Sequence, residues 1–306
     1  MSKVLALTGV TGKKSGSILF EKIAGNIESV RSRFPGGIRV LARPSSHTEQ
    51  LEAALPEVRI CRGELSDAAF LREALQGVDT VLHIAGIQLS REIVDAAAAC
   101  GVRRLILIHT TGIYSKYKAA GEEYRKIDAY VLDACMKNRI LLTVCRPTMI
   151  YGNIYDMNVV KFIQMVDRLP VMPVVNGARY ELQPVHYADL GEAYYRVLMQ
   201  EEETVGKDFI LSGGKPILLR EMLTVIGKEL GKDVHFISCP FGIAYAGAWG
   251  LYLLTLGKKD YREKVQRLCE TRTFPHEEAE RAFGFAPRTF EEGIPGEVAE
   301  YREKRR

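Results

Sequence analysis

Residues 9–16, Gly-Val-Thr-Gly-Lys-Lys-Ser-Gly, have the composition of a backbone cradle for phosphate. They follow the apolar run Val4-Leu5-Ala6-Leu7 and precede a helix-like segment, residues 17–23. A buried strand, a glycine turn and a helix N-terminus let the main chain approach a pyrophosphate, whose charge the free N–H groups and the helix dipole attract. Gly9, Thr11, Gly12, Lys13, Ser15 and Gly16 are the candidate contacts. The pattern departs slightly from the dinucleotide loop, because Ser15 stands where its third glycine falls and Gly16 comes one residue late. Lys13 and Lys14 are placed to reach a phosphate or to stay solvated.

A second chemical signal follows the second apolar run, Ile38-Arg39-Val40-Leu41-Ala42. An acidic residue at its end would bond adenosine ribose hydroxyls, but Arg43 stands there, followed by Pro44-Ser45-Ser46. An arginine with small hydroxyl residues suits a ribose 2′-phosphate, which favours NADP over NAD through Arg43 and Ser45. Residues 78–86 form another apolar run ending in Ala85 and Gly86, small enough for a flat ring or ribose to lie close. His83 inside that run reads as a core histidine with its hydrogen bonds satisfied.

Positioning these residues requires a repeated strand–helix unit. Apolar runs at 4–7, 38–42, 58–62, 78–86 and 104–109 alternate with helical segments at 17–23, 68–75 and 92–100. Such regularity predicts an α/β fold: a Rossmann-type doubly wound parallel sheet with a smaller, mixed C-terminal substrate-binding portion. The boundary is expected near residue 152, giving a dinucleotide-binding part (1–152) and a substrate-binding part (153–306) interleaved with the sheet. Asp67 or Ser66 is expected to cap the 68–75 helix, and Asp189 to cap or orient a helix at 190–199.

The 306-residue chain is 47% apolar and 26% charged, an ordinary balance for a packed domain. A net charge of +4 with scattered basic residues leaves no nucleic-acid footprint. Six cysteines without a C-x-x-C pair read as reduced thiols, with no metal site expected. Met1-Ser2-Lys3 runs straight into the first strand, so a cytoplasmic location is expected. Residues 240–257 (PFGIAYAGAWGLYLLTLG) are uncharged and read as a buried or interface helix, with membrane-surface contact as the alternative.

Several motifs occur in a telling order: TGVTG at 8–12, GELSD at 63–67, VDTVLHIAG at 78–86, CRPTMIYG at 145–152, LQPVHYADL at 182–190 and FGFAPRTFEEG at 283–293. Together they resemble the extended and atypical short-chain dehydrogenase/reductases, the NAD(P)-dependent epimerase/dehydratase group. The resemblance implies cofactor contacts also from Glu64, Leu65, Thr110, Tyr124, Pro147 and Thr148. It further implies a catalytic Ser/Thr after the fifth strand and a Tyr-x-x-x-Lys pair on the next helix, the lysine drawing the phenol's pKa toward neutrality. Thr111 and Tyr124 match the first two of these roles.

Asp128, however, stands four residues after Tyr124 where the lysine is expected. One helical turn on, a carboxylate beside a phenol raises its pKa, the wrong direction for a base. Two substitutes are on offer. One is the pair Tyr114 and Lys118, and the other is an ammonium from Lys126 or Lys118 folded into the site. The C-terminal portion of such proteins closes over substrate, with Asn158, Arg179 and His186 as the polar candidates here. Arg179 suits a diphosphate through its planar guanidinium.

The expectation is an NAD(P)-binding epimerase, dehydratase or ketoreductase acting on a nucleotide-activated sugar, as a monomer or homodimer. Two rivals stand beside it: a non-catalytic dinucleotide sensor or scaffold, favoured by Asp128, and a membrane-surface enzyme, suggested by residues 240–257.

Overall fold

A computed structural model describes residues 2–117 and 119–305. Six strands arise in the first half of the chain: β1 (Leu5–Thr8), β2 (Ile38–Ala42), β3 (Arg59–Arg62), β4 (Thr80–His83), β5 (Arg104–Ile108) and β6 (Leu141–Pro147). Short strands β7 (Ile150–Tyr151), β8 (Met172–Val175), β9 (Glu181–Leu182) and β10 (Val185–His186) follow before β11 (Asp208–Leu211) returns to pair with β6. Strands β12 (Ile217–Leu218) and β13 (Phe236–Cys239) pair with β9 and β8.

The central sheet has the order β11-β6-β5-β4-β1-β2-β3. All of its pairings are parallel. Strand order reverses between β1 and β4, so a crevice opens at their C-terminal ends, where ligands of such sheets bind. Helices cover both faces, which is why the strands read as unbroken apolar runs.

The helices of the first half are α1 (Ser15–Gly25), α2 (Ile27–Arg33), α3 (Glu49–Ala54), α4 (Ala68–Leu75), α5 (Ser90–Ala99) and α6 (Gly121–Asn138). Asp67 caps α4, accepting from the Ala69 N–H at 2.8 Å. The second half adds α7 (Val159–Arg168), α8 (Tyr187–Met199), α9 (Glu201–Thr204), α10 (Leu219–Leu230), α11 (Phe241–Leu254), α12 (Arg262–Leu268), α13 (Glu277–Phe283) and α14 (Phe290–Arg305).

Strand alternation sends Leu5, Leu7 and Val40 to one face, where Leu19 and Phe20 of α1 meet Leu190 and Tyr194 of α8. Ala6, Leu41 and Val81 face the other way, onto α4, α5 and α6. A third core joins α7, α10 and α14 around Ile163, Met222 and Ile294. Arg104, fully buried at the start of β5, holds α8 to the sheet by donating to the carbonyls of Val197 and Leu198 at 2.8 and 2.9 Å. Those are carbonyls of the last helical turn, which lack partners within the helix; Val197 also accepts from the Thr204 hydroxyl at 3.2 Å.

The burial expected as one placement for residues 240–257 is not found; placement at an interface is the other. The uncharged stretch forms α11, yet Ala248 is its single buried residue. Both sheet faces and the third core are already covered by other helices, so no interior surface of the chain is left for it. No helix among the described residues is long and apolar enough to cross a membrane.

Candidate functional site

The loop from β1 to α1 is shaped by close backbone approach. Gly9 has φ +76°, and a Cβ there would lie 2.8 Å from the Ala85 amide nitrogen. A Cβ on Gly16 would lie 2.2 Å from the Gly9 carbonyl oxygen, so α1 starts directly against the loop. At Gly12, by contrast, a Cβ would meet nothing within 4 Å, which leaves that backbone open to the cleft. The first turn of α1 carries no acidic residue and Lys14 makes no side-chain cap, so its amides are available to an anion.

These features border a cleft of about 400 Å³. Gly9, Gly12, Lys13, Ser15, Gly16, Ala85, Gly86, Thr110, Tyr124 and Pro147 all line it, together with Gln88 and His109. An open glycine backbone at a helix N-terminus, with small residues opposite, fits the diphosphate and ribose of a nicotinamide dinucleotide. His83 lies beneath in the core, its Nδ1 2.7 Å from the Thr8 hydroxyl and its Nε2 3.0 Å from the Gly86 carbonyl. The Gly86 carbonyl accepts only, so Nε2 carries the proton, and burial pushes the ring's pKa down to about 4.

Other expected cofactor residues sit apart from this cleft. Thr11 is in the loop but not on the cleft wall. Arg43 and Ser45 are exposed beyond β2. Arg62 on β3 was not anticipated, and it donates to the Ser46 carbonyl at 3.0 Å and the Thr48 hydroxyl at 2.6 Å. It therefore shapes the loop that presents Arg43. Leu65 points into the core, and Glu64 is exposed beside it.

A larger cleft, about 660 Å³, adjoins the first and shares Lys14, Ser15, Thr110 and Ile150 with it. Thr111, Thr148 and Asn158 line it. Thr111 donates to the Pro147 carbonyl at 3.2 Å, whereas Thr110 faces both clefts. Arg179 and His186 are on neither wall. Arg179 is exposed after a 3-10 turn. His186 caps α8 by accepting from the Ala188 N–H at 3.2 Å and packs edge-on against Tyr151, with burial lowering its pKa to about 4. Asp189, expected to cap or orient this helix, is not its cap but lies in the first turn of α8 and pairs with Arg288 at 2.7 Å.

The cationic wall comes from the last turn of α12 and the loop after it, which the sequence reading passed over. Arg267 and Arg272 line the larger cleft, and each has a buried Nε without a hydrogen-bond partner. Burial, followed by the charge of Arg267, lowers the Arg272 guanidinium to about 10. Glu270 between them is occupied, accepting from the Ser115 hydroxyl at 2.7 Å and the Lys116 N–H at 2.8 Å. Two guanidiniums with spare donors make this wall a place for a phosphate or carboxylate.

Asp128 also differs from expectation. Its carboxylate accepts from His109 Nδ1 at 2.5 Å and forms an ion pair with Arg146 Nη1 at 2.7 Å, close but not aligned as a hydrogen bond. Arg146 in turn grips Asp208 through Nε at 2.8 Å and Nη2 at 2.6 Å. On the other side, His109 Nε2 lies 3.0 Å from the Ser90 hydroxyl. Burial alone would raise the Asp128 pKa, but the His109 hydrogen bond and the Arg146 charge outweigh it and hold the carboxyl below its usual range. The order Ser–His–Asp is that of a hydrolase triad, yet Ser90 is fully buried at the start of α5 and meets no substrate.

Tyr124 accepts from Gln88 Nε2 at 3.1 Å, a contact from the turn after β4. Of the substitutes for the missing lysine, Lys126 is exposed and paired with Glu122 at 2.8 Å on the same helix. Lys118 lies outside the described residues, and Tyr114 lines the larger cleft.

Residues 33–141 match the family described as NAD(P)H-binding. Over 80 residues the chain is 31% identical to cinnamoyl-CoA reductase 1 of Oryza sativa subsp. japonica, a match spanning 22% of this chain and 24% of that protein. Among solved structures it resembles the dTDP-glucose 4,6-dehydratase DesIV of Streptomyces venezuelae, solved with NAD and TYD bound (TM-score 0.71, 19% identity, 99% and 98% of the two chains). It also resembles the NADPH-dependent quinone oxidoreductase QOR2 of Escherichia coli, solved with NADPH (TM-score 0.70, 20% identity, 95% and 98%). Residues 33–141 thus carry an NAD(P)H-binding domain, and the whole chain shares the fold of these dehydratase and oxidoreductase structures.

Proposed function

We propose that the chain is an NAD(P)-dependent oxidoreductase, epimerase or dehydratase acting on a substrate that carries a phosphate or diphosphate, a nucleotide-activated sugar foremost. The observation that carries this reading is the continuity of the two clefts across Ser15 and Thr110, with the glycine loop at one end and Arg267 and Arg272 at the other. A bound dinucleotide would supply or accept hydride at its nicotinamide ring. The chain's own residues do the rest. Arg272 and Arg267 hold the anionic end of the substrate, and the Thr110 or Thr111 hydroxyl bonds the reacting oxygen. The Tyr124 phenol, positioned by Gln88, gives or takes the proton at that oxygen.

NADP is the proposed cofactor form, on the strength of an exposed Arg43 in a loop that Arg62 stitches in place. A cytoplasmic setting suits that cofactor. The proposed division of labour follows residue 152, with β11 and α8 of the second half built onto the sheet of the first.

The test is a turnover screen of nucleoside-diphosphate sugars and other phosphorylated carbonyl compounds, with Tyr124→Phe and Arg272→Ala. Tyr124→Phe is expected to lower kcat by about 100-fold or more, and Arg272→Ala to raise KM. A Tyr124→Phe protein turning over at the wild-type rate would overturn the assignment of the phenol. A second reading, a dinucleotide sensor without turnover, draws on the locked position of Asp128. Tight dinucleotide binding with no turnover across the screen is its signature.

A further inference from the structure

Helix α11 and the turn after it stay outside all three cores. Of the sixteen large hydrophobic side chains exposed among the described residues, eight lie between Ile237 and Tyr261. Leu253, Leu254 and Leu256 form the tip, at 63%, 85% and 88% exposure, and Ile243 at 65% lies earlier on the same face. No charged residue occurs from 236 to 257. The hairpin is nevertheless built: Trp249 and Tyr252 meet edge to face, and Arg262 of α12 lies 4.2 and 4.0 Å from their ring centres. Lysines follow the tip at once. Lys258, Lys259 and Lys264 are exposed, with no acidic partner among the described residues.

We propose that the α11–α12 hairpin docks on an anionic phospholipid surface, its leucine tip entering the interface and Lys258 and Lys259 meeting lipid phosphates. Three observations favour lipid. Helix α11 has fourteen residues, too short to span a bilayer but long enough to lie in its surface. Tryptophan and tyrosine beside the apolar tip are the residues that settle at headgroup level. Lysines flanking an apolar segment are drawn to anionic lipid. A second copy of this chain is a poorer occupant, because a twofold contact through the tip would bring the unpaired lysines of both copies together. Arg267 on α12 and Arg272 just beyond it both line the larger cleft, so docking would set that wall against the lipid. The proposal does not depend on the identity of the substrate.

The full chain should co-sediment with vesicles of phosphatidylcholine and phosphatidylglycerol, and about tenfold more weakly with phosphatidylcholine alone. Added salt should weaken the binding. Leu254→Glu with Leu256→Glu should abolish it, and Lys258→Glu with Lys259→Glu should reduce it by about tenfold or more. These side chains are exposed, so both variants should keep wild-type melting and dinucleotide binding. Wild-type protein that ignores phosphatidylglycerol, or variants that bind as well as wild type, would overturn the proposal. So would a dimer that the leucine substitutions split while no vesicle binding is seen, since a second copy would then be the occupant.

Discussion

Two regions of this molecule invert the usual placement of side chains. At the ends of β5 and β6, Ser90, His109, Asp128, Arg146 and Asp208 form an unbroken polar row, most of it inside the protein. At the α11–α12 hairpin, leucines stand in solvent. In the first region each group finds a partner on another element, so its desolvation is offset within the chain. In the second no described residue covers the apolar surface, which faces solvent or, on our proposal, lipid. A buried charge here is thus a statement about internal registration, and an exposed leucine, on our proposal, one about a lipid surface.

The sharpest way to break that comparison is to place at position 128 the lysine that the sequence resemblance implies. Asp128→Lys would set an ammonium against the Arg146 guanidinium and take the acceptor from His109 Nδ1, and should cost about 3–5 kcal/mol, read as a lower denaturation midpoint. It should not raise activity. An Asp128→Lys protein as stable as wild type would show that the row is not held by complementary charge.

The interior should also respond to pH where the hairpin does not. His83 and His186 have folded pKa values of about 4, below the ordinary 6.5. The unfolded chain therefore binds more protons between those values. The stability is complete above pH 6.5 and is lost as pH falls toward 4, on the order of 3 kcal/mol per histidine. Chemical denaturation at pH 7 and pH 5 checks this, and a flat profile would contradict the buried neutral rings.

A third buried group works in the opposite sense. Glu297 is fully buried and accepts from the Gly152 N–H at 2.7 Å, while its other oxygen has no donor. Burial and the nearby Asp156 carboxylate hold it protonated well above the usual carboxyl range. Asp156 itself accepts from three backbone N–H groups at the start of α7. With its folded pKa raised, Glu297 contributes stability below its unfolded value that fades as pH rises. Glu297→Gln keeps the shape and the donor, so it should match wild type at pH 5 and exceed it by about 1 kcal/mol at pH 8. The smallest effect belongs to the hairpin: Leu254→Glu with Leu256→Glu should change stability by less than about 0.5 kcal/mol.

Much of the sheet was legible because parallel strands covered on both faces appear as apolar runs, and the glycine loop marks where β1 turns into α1. The polar row was not. His109, Asp128, Arg146 and Asp208 come from the residue after β5 and from α6, β6 and β11, and the sheet order β11-β6-β5 makes them neighbours. Arg146 within an apolar strand was the available signal, since a buried guanidinium requires an acid. Arg272 stood in an irregular loop without periodicity to place it, and His186 and Asp189 could not be told apart as helix cap and ion-pair partner. Helix α11 was expected to be covered, because its composition reports hydrophobicity and not whether a face is left to receive it.

The central claim is that the cleft beside Gly12 holds a nicotinamide dinucleotide. Titration of the purified protein with NADPH and NADH, followed by nicotinamide fluorescence, tests it most directly when paired with Gly12→Asp. That side chain would enter open space in the cleft and leave the fold intact, while placing a negative charge at the α1 N-terminus. The account predicts saturable binding, tighter for NADPH, that weakens by about tenfold or more in the variant. Absence of binding by either dinucleotide at millimolar concentration, or unchanged binding by Gly12→Asp, would contradict it.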